Sequence, residues 1–337
     1  MHSETDIQAS RDVVTNNIFL HSDMIWIPAG MFRMGSNDHY PEEQPVHTKS
    51  VAGFWIEKYT VTNERFARFV EETKYVTVAE RAANAEDYPG AKPEMLQPAS
   101  VVFCKPPSRV DLRNHFNWWR YVAGANWRHP EGPESSIEDR QQHPVVHLAY
   151  EDAEAYSKWA GKELPTEAEW EFAARGGIDG ATYAWGEEFT PDGRSMANTW
   201  QGEFPWQNLC TDGYERTAPV GQYPPNGYGL FDMIGNVWEW TTDWYTSQHA
   251  PKTCCGSIGK PNPKDSYDPQ LPQIHIPRRV IKGGSFLCAP NYCQRYRPAA
   301  RMAQPVDTSA CHVGLRLIVR PKPATDKVVA IDGAFSR

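Results

Sequence analysis

The 337-residue chain carries 34 Lys and Arg against 42 Asp and Glu, a net charge of −8, with 40% hydrophobic residues. That length allows one large domain or two ordinary ones, and the acidic balance leaves no electrostatic footprint for nucleic acid. No run of about 18 apolar residues argues for a membrane-spanning helix.

Twenty-eight Pro, 24 Gly and 13 Trp occur together. Such Pro and Gly content alone would suggest disorder, but interleaved aromatics predict a folded chain poor in regular structure. The opening Met1-His2-Ser3-Glu4-Thr5-Asp6 lacks the basic and apolar regions of a signal peptide, so a cytoplasmic location is expected. Seven cysteines, an odd number, at 104, 210, 254, 255, 288, 293 and 311 read as thiols kept for chemistry in a reducing compartment.

In chain order, residues 1–22 read as a loose tail, 23–320 as a single domain and 321–337 as a second tail. Residues 24–35 predict two short strands around Pro28-Ala29-Gly30, and 51–59 a further strand. Thr62 caps a helix over 62–70 with Phe66, Phe69 and Val70 on one face. Residues 80–125 show no clear pattern beyond the Trp118-Trp119 pair. A second helix is predicted over 151–160, with Ala155, Tyr156 and Trp159 on one face. A third opens on a capping box of Thr166 with Glu169 and stops at Gly176-Gly177. From 178 to 320 the pattern gives short strands and long loops.

Within that last region lies the segment of greatest chemical interest, Gly283-Gly284-Ser285-Phe286-Leu287-Cys288-Ala289-Pro290-Asn291-Tyr292-Cys293-Gln294-Arg295-Tyr296-Arg297. Cys288 and Cys293 can meet across a short turn, to clasp a soft metal, form a redox disulfide or simply be buried together. Thiolates select Cu(I) or zinc. A structural zinc wants about four ligands, and the nearest further candidates, Cys311 and His312, lie some way along the chain. Two thiolates alone suit Cu(I).

This segment, together with Gly124-Ala125-Asn126-Trp127-Arg128-His129-Pro130-Glu131-Gly132-Pro133, Leu164-Pro165-Thr166-Glu167-Ala168-Glu169-Trp170-Glu171, Pro224-Pro225-Asn226-Gly227-Tyr228-Gly229-Leu230 and Gly235-Asn236-Val237-Trp238-Glu239-Trp240, resembles the formylglycine-generating enzyme (sulfatase-modifying factor) family. The resemblance runs from about Met24 to Arg320. It implies an α+β fold low in regular secondary structure and related to C-type lectins. The implied activity is O2-dependent oxidation of a cysteine to formylglycine, in a Cys-x-Pro-x-Arg-type motif of an unfolded sulfatase polypeptide, with a thiol reductant.

Residue by residue, the resemblance implies Cu(I) on Cys288 and Cys293, and Ser285 near the reactive centre. Trp238, Tyr292, Arg301 and His312 would contact substrate. His312 stands where the family carries Asn in an Asn-x-Gly-x-Arg run. Two structural Ca(2+) ions are implied, one on Asn198, Thr199, Asp212 and Tyr214, the other on Asp232, Gly235, Val237 and Glu239. Calcium takes about six to eight oxygen ligands, which these side chains and carbonyls can supply. Secreted members carry two disulfides at positions that here are Ser157, Ala174, Pro298 and Leu317. Two other readings on the same fold are a non-catalytic binding module, which typically lacks the paired cysteines, and an iron-dependent sulfoxide synthase, which adds a His-bearing helical bundle.

Overall fold

The computed structural model describes residues 23–249 and 262–321. The two predicted tails and the Cys254-Cys255 pair fall outside the described residues, except Pro321. Three α-helices are present among the described residues: α1 (Asn63–Thr73), α2 (Tyr150–Trp159) and α3 (Glu167–Ala174). Their starts obey the capping chemistry. Thr62 accepts from the Arg65 amide, and Thr166 and Glu169 form the reciprocal box, each cap contributing about 1 kcal/mol. Phe66, Phe69 and Val70 are buried as their spacing requires. None of the described helices is long and apolar enough to cross a membrane.

The strands are short. β1 (Met24–Ile27), β4 (Phe54–Glu57) and β11 (Ile318–Val319) form one antiparallel sheet with β4 in the middle, so the first and last strands of the described residues flank one partner. β2 (Gly30–Met34) pairs with β3 (His47–Val51). The predicted single strand over 51–59 is therefore two strands broken at Ala52-Gly53. A Cβ at Gly53 would lie 2.6 Å from the Trp26 ring, so the tight turn there needs glycine. β5 (Ala99–Phe103) and β6 (Trp119–Ala123) form a hairpin in the region where the sequence showed no pattern. The central sheet runs β10 (Val313–Gly314), β7 (Trp238–Trp244), β8 (Arg278–Lys282) and β9 (Arg301–Pro305), with β10 parallel to β7.

Beneath this sheet lies a cluster of buried charges. Lys282 on β8 reaches Glu171 at 3.0 Å and Glu167 at 3.4 Å, and Glu171 also holds Arg175 at 2.7 Å. Buried charges need such partners because an unpaired one is costly. A smaller apolar cluster packs Phe286, Leu287 and Ala289 of the cysteine segment with Phe103, Trp118, Trp200, Phe204 and Cys311. The segment is thus packed against a rigid aromatic wall although it lies in a loop.

Candidate active site

The paired cysteines sit on the loop that leaves β8. Gly284 lies at φ +75°, and a Cβ there would be 2.7 Å from the Arg295 carbonyl oxygen, so glycine lets the outgoing and returning strands of the loop touch. Two turns follow. The Cys288 amide donates to the Ser285 carbonyl at 2.9 Å, and the Cys293 amide donates to the Ala289 carbonyl at 2.9 Å. These turns bring the two Sγ atoms to 3.3 Å, too far for a disulfide bond at about 2.05 Å but close enough for one thiol to donate to the other.

The two thiols differ electrostatically. Cys288 is buried, and burial pushes its thiol well above the ordinary value, with the neighbouring sulfur adding to the shift. Cys293 moves the opposite way: the hydrogen bond from Cys288 lowers it first, and the Arg295 guanidinium lowers it further. Arg295 Nη1 lies 3.9 Å from the Cys293 sulfur, while the guanidinium stacks 3.9 Å over the Tyr40 ring and its Nη2 donates to Glu42 at 2.5 Å. Cys293 is therefore the sulfur that ionises first. Two residues on, Arg297 makes a buried bidentate pair with Glu43 at 2.6 and 2.7 Å. Glu42 and Glu43, in a single helical turn at Pro41–Glu43, clamp the return of the cysteine loop.

Arg295→Gln is expected to move the midpoint of Cys293 alkylation by iodoacetamide up in pH, slowing it about tenfold near pH 7. An unchanged pH profile would show that Arg295 does not set the thiolate.

The cysteines open into a cleft of about 400 Å³. Ser285, Trp238, Tyr292 and His312 line it with them. Ser285 Oγ accepts from the Leu287 amide at 3.3 Å and is buried within the turn. Tyr292 stands at the rim, 40% exposed, stacked on Phe204 at 4.6 Å. His312 stacks on Trp119 at 4.9 Å, and burial pulls its ring down to about 3, so it is neutral. Six of the residues singled out in sequence as catalytic or substrate-binding thus share one cleft.

Arg301 is not among them. Its side chain points into the charge cluster, donating to both oxygens of Glu167 at 2.8 and 2.9 Å and to the carbonyls of Thr246 and Glu42. At 2% exposure it braces the scaffold, which corrects the groove assignment. Arg295, Arg297, Tyr40, Glu42 and Glu43 were missed. The alternation Cys293-x-Arg295-x-Arg297 was the available signal, since residues two apart in an extended run share a face.

The calcium-like loops give a divided answer on fit. Gly235 lies at φ +74°, where a Cβ would meet the Asn198 carbonyl at 2.4 Å, and the Asn236 amide donates to that carbonyl, so the two loops touch. Asn198 and Thr199 are buried, and Asp212 accepts from the Tyr214 amide and the Tyr223 hydroxyl. Asp232 has one oxygen on the Gly221 amide and the other, Oδ1, buried without a partner; burial raises its carboxyl to about 6. A cation would complete that oxygen. Val237 is buried as well. Glu239 is different: it already accepts from Thr60, Trp170 and a bidentate Arg316. Its charge is neutralised within the chain.

The model of the sulfatase-modifying factor enzyme 1-like domain matches residues 9–321. The formylglycine-generating enzyme of Mycobacterium tuberculosis is 51% identical over 89% of this chain and 98% of its own length. That of Thermomonospora curvata is 47% identical over 88% and 93%. Among solved structures, PvdO from Pseudomonas aeruginosa superposes with a TM-score of 0.56 at 23% identity, covering 88% of this chain and 94% of that one, a likeness of fold alone. With the paired thiols in their cleft, these matches make the chain an enzyme, and it belongs to the formylglycine-generating enzyme family.

Proposed function

We propose that the enzyme oxidises a cysteine in a Cys-x-Pro-x-Arg-type segment of an unfolded sulfatase to Cα-formylglycine, using O2, a thiol reductant and Cu(I) held by Cys288 and Cys293. The observation that carries this reading is the pair of soft sulfurs 3.3 Å apart at the floor of a cleft open to a polypeptide. The donor set fits copper and not structural zinc. Among the described residues no group of three or more His, Cys, Asp and Glu is arranged to hold a metal, whereas tetrahedral zinc needs about four ligands. Bound there, copper would supply the one-electron chemistry with O2 that side chains lack.

The chain's own residues prepare that site. Cys293, next to Arg295, carries the first negative charge, and Cys288 gives up its proton to reach the dithiolate. Trp238, Tyr292 and neutral His312 wall the sulfurs with ring surface and bring no further charge to the cleft. The Ser285 hydroxyl, held by the Leu287 amide, offers one hydrogen bond to a substrate polar group. The lack of cysteine at Ser157, Ala174, Pro298 and Leu317, where secreted members carry disulfides, supports a reducing, cytoplasmic setting.

The direct test incubates the copper-loaded protein with a Cys-x-Pro-x-Arg peptide, O2 and dithiothreitol, and reads peptide mass. Conversion of the cysteine to formylglycine is expected; an unmodified peptide under these conditions would favour a non-catalytic binding role.

The same reading includes structural calcium at the two loops, supported at the second by the unmatched Asp232 oxygen. A chelator should lower the melting temperature through loss of a ligand bound only to the folded state, and Asp232→Ala, which removes the ligand oxygen, should remove most of that response. A melting curve indifferent to both would leave Asp232 without a cation.

A further inference from the structure

The turn that carries the two sulfurs is fastened to two different segments of the chain. On the Cys288 side the fastening is residues 200–204. The Trp200 amide donates to the Cys288 carbonyl at 3.0 Å. Asn291, in the turn between the cysteines, then clasps Phe204 twice: its Oδ1 accepts from the Phe204 amide and its Nδ2 donates to the Phe204 carbonyl, both at 3.2 Å. On the Cys293 side the fastening is residues 40–43. There the Gln294 amide donates to the Tyr40 hydroxyl at 3.1 Å, and Arg295 pairs with Glu42.

The clasp is not the usual work of a turn asparagine, which bonds the backbone two residues on, as Asn262 does with the Lys264 amide. Asn291 is exposed and has water for its amide, yet both ends of that amide meet the backbone of one residue 87 positions away. Matching donor and acceptor at once fixes the side chain, and with it the tip of the turn. The next ring along, Tyr292, lies on Phe204 at an interplanar angle of 9°, so one partner holds two successive residues.

These fastenings bear on the distance between the sulfurs. Closing from 3.3 Å to a disulfide at about 2.05 Å brings them together by about 1.2 Å. With Cys288 and the tip tied to 200–204, and the chain after Cys293 tied to 40–43, that approach pulls on the clasp. We propose that Asn291 is a positioning residue that holds the pair open as the dithiol and opposes its closure to a disulfide. It acts through the turn. A disulfide has no thiolate to offer a soft metal, so a pair that works in the presence of O2 gains from a turn that resists closing. That benefit rests on the reading of the pair as a copper-holding dithiol.

The test needs neither copper nor peptide. Metal-free protein is equilibrated without O2 in mixtures of oxidised and reduced glutathione. On closing, each Cys288–Cys293 pair passes two electrons and two protons to one oxidised glutathione, which leaves as two reduced molecules. Trypsin, cutting after Lys282 and Arg295, releases a peptide that holds these two cysteines and no others, so alkylation and peptide mass report this pair alone. Asn291→Ala should shift the equilibrium about tenfold toward the disulfide, a reduction potential about 30 mV more negative. Asn262→Ala, which removes an ordinary turn asparagine, should leave it within about twofold. Melting curves of the reduced proteins separate positioning from stability: a lower melting temperature alone does not move the ratio of disulfide to dithiol. An equilibrium that Asn291→Ala leaves unchanged or moves toward the dithiol overturns the proposal, as does an equal shift in Asn262→Ala. Conversion of the Cys-x-Pro-x-Arg peptide, tested above, stands or falls separately.

Discussion

Glu239→Ala is expected to destabilise the protein by about 3–5 kcal/mol, with or without a chelator. Glu239 is 1% exposed and Arg316 0%. Removing the carboxylate leaves the guanidinium buried with only the Glu57 and Phe231 carbonyls and the Thr60 hydroxyl, and strands the Trp170 indole N–H. An uncompensated buried cation is among the costliest single changes a fold can suffer. Against a typical total of about 5–15 kcal/mol, this approaches loss of the folded state at moderate temperature. Glu239→Gln loses the charge but keeps one acceptor oxygen, for either Thr60 or Trp170, so its cost should be smaller than that of Glu239→Ala. Thermal unfolding of both variants, with and without EDTA, is the measurement. If the loss on Glu239→Ala disappears in EDTA, the residue acts through calcium and the Arg316 pair is not what it stabilises.

The same residue shows where sequence reading reached its limit. Local signals were readable: Thr62 and Thr166 announced their helices because a cap satisfies amides within three residues of itself. The cysteine turn was readable too, since two thiols separated by four residues have few ways to avoid each other. Pairing across the chain was not. Glu43 and Arg297 stand 254 residues apart, and Glu239 and Arg316 77 apart, and nothing in either neighbourhood names its partner. Arg301 was assigned to the groove by the family resemblance alone, yet strand alternation turns it inward while Met302 lines the cleft. The β5–β6 hairpin escaped notice because its strands are separated by a polar segment rich in Pro, Asn and Arg, which breaks the alternation on which strand reading depends.

The largest functional effect is expected at the pair itself. Cys288→Ser and Cys293→Ser should each abolish Cu(I) binding and reduce turnover by several orders of magnitude, because a hydroxyl is hard and stays protonated where a soft thiolate is needed. The fold should largely survive, more so for Cys293→Ser, whose position is half-buried, than for Cys288→Ser, which places a hydroxyl at a site 2% exposed. Cu(I) affinity by competition with a colorimetric chelator, formylglycine formation by mass spectrometry and melting temperature together separate the cases. A redox-disulfide mechanism would also fail in both variants, but it predicts full activity of the wild-type protein when stripped of metal and held in excess bathocuproine disulfonate. The copper reading predicts no turnover in that sample and recovery on adding Cu(I) beyond the chelator's capacity. Full activity in the chelated sample would remove copper from the mechanism and leave the thiol pair, its Arg295-stabilised sulfur and the peptide cleft in place.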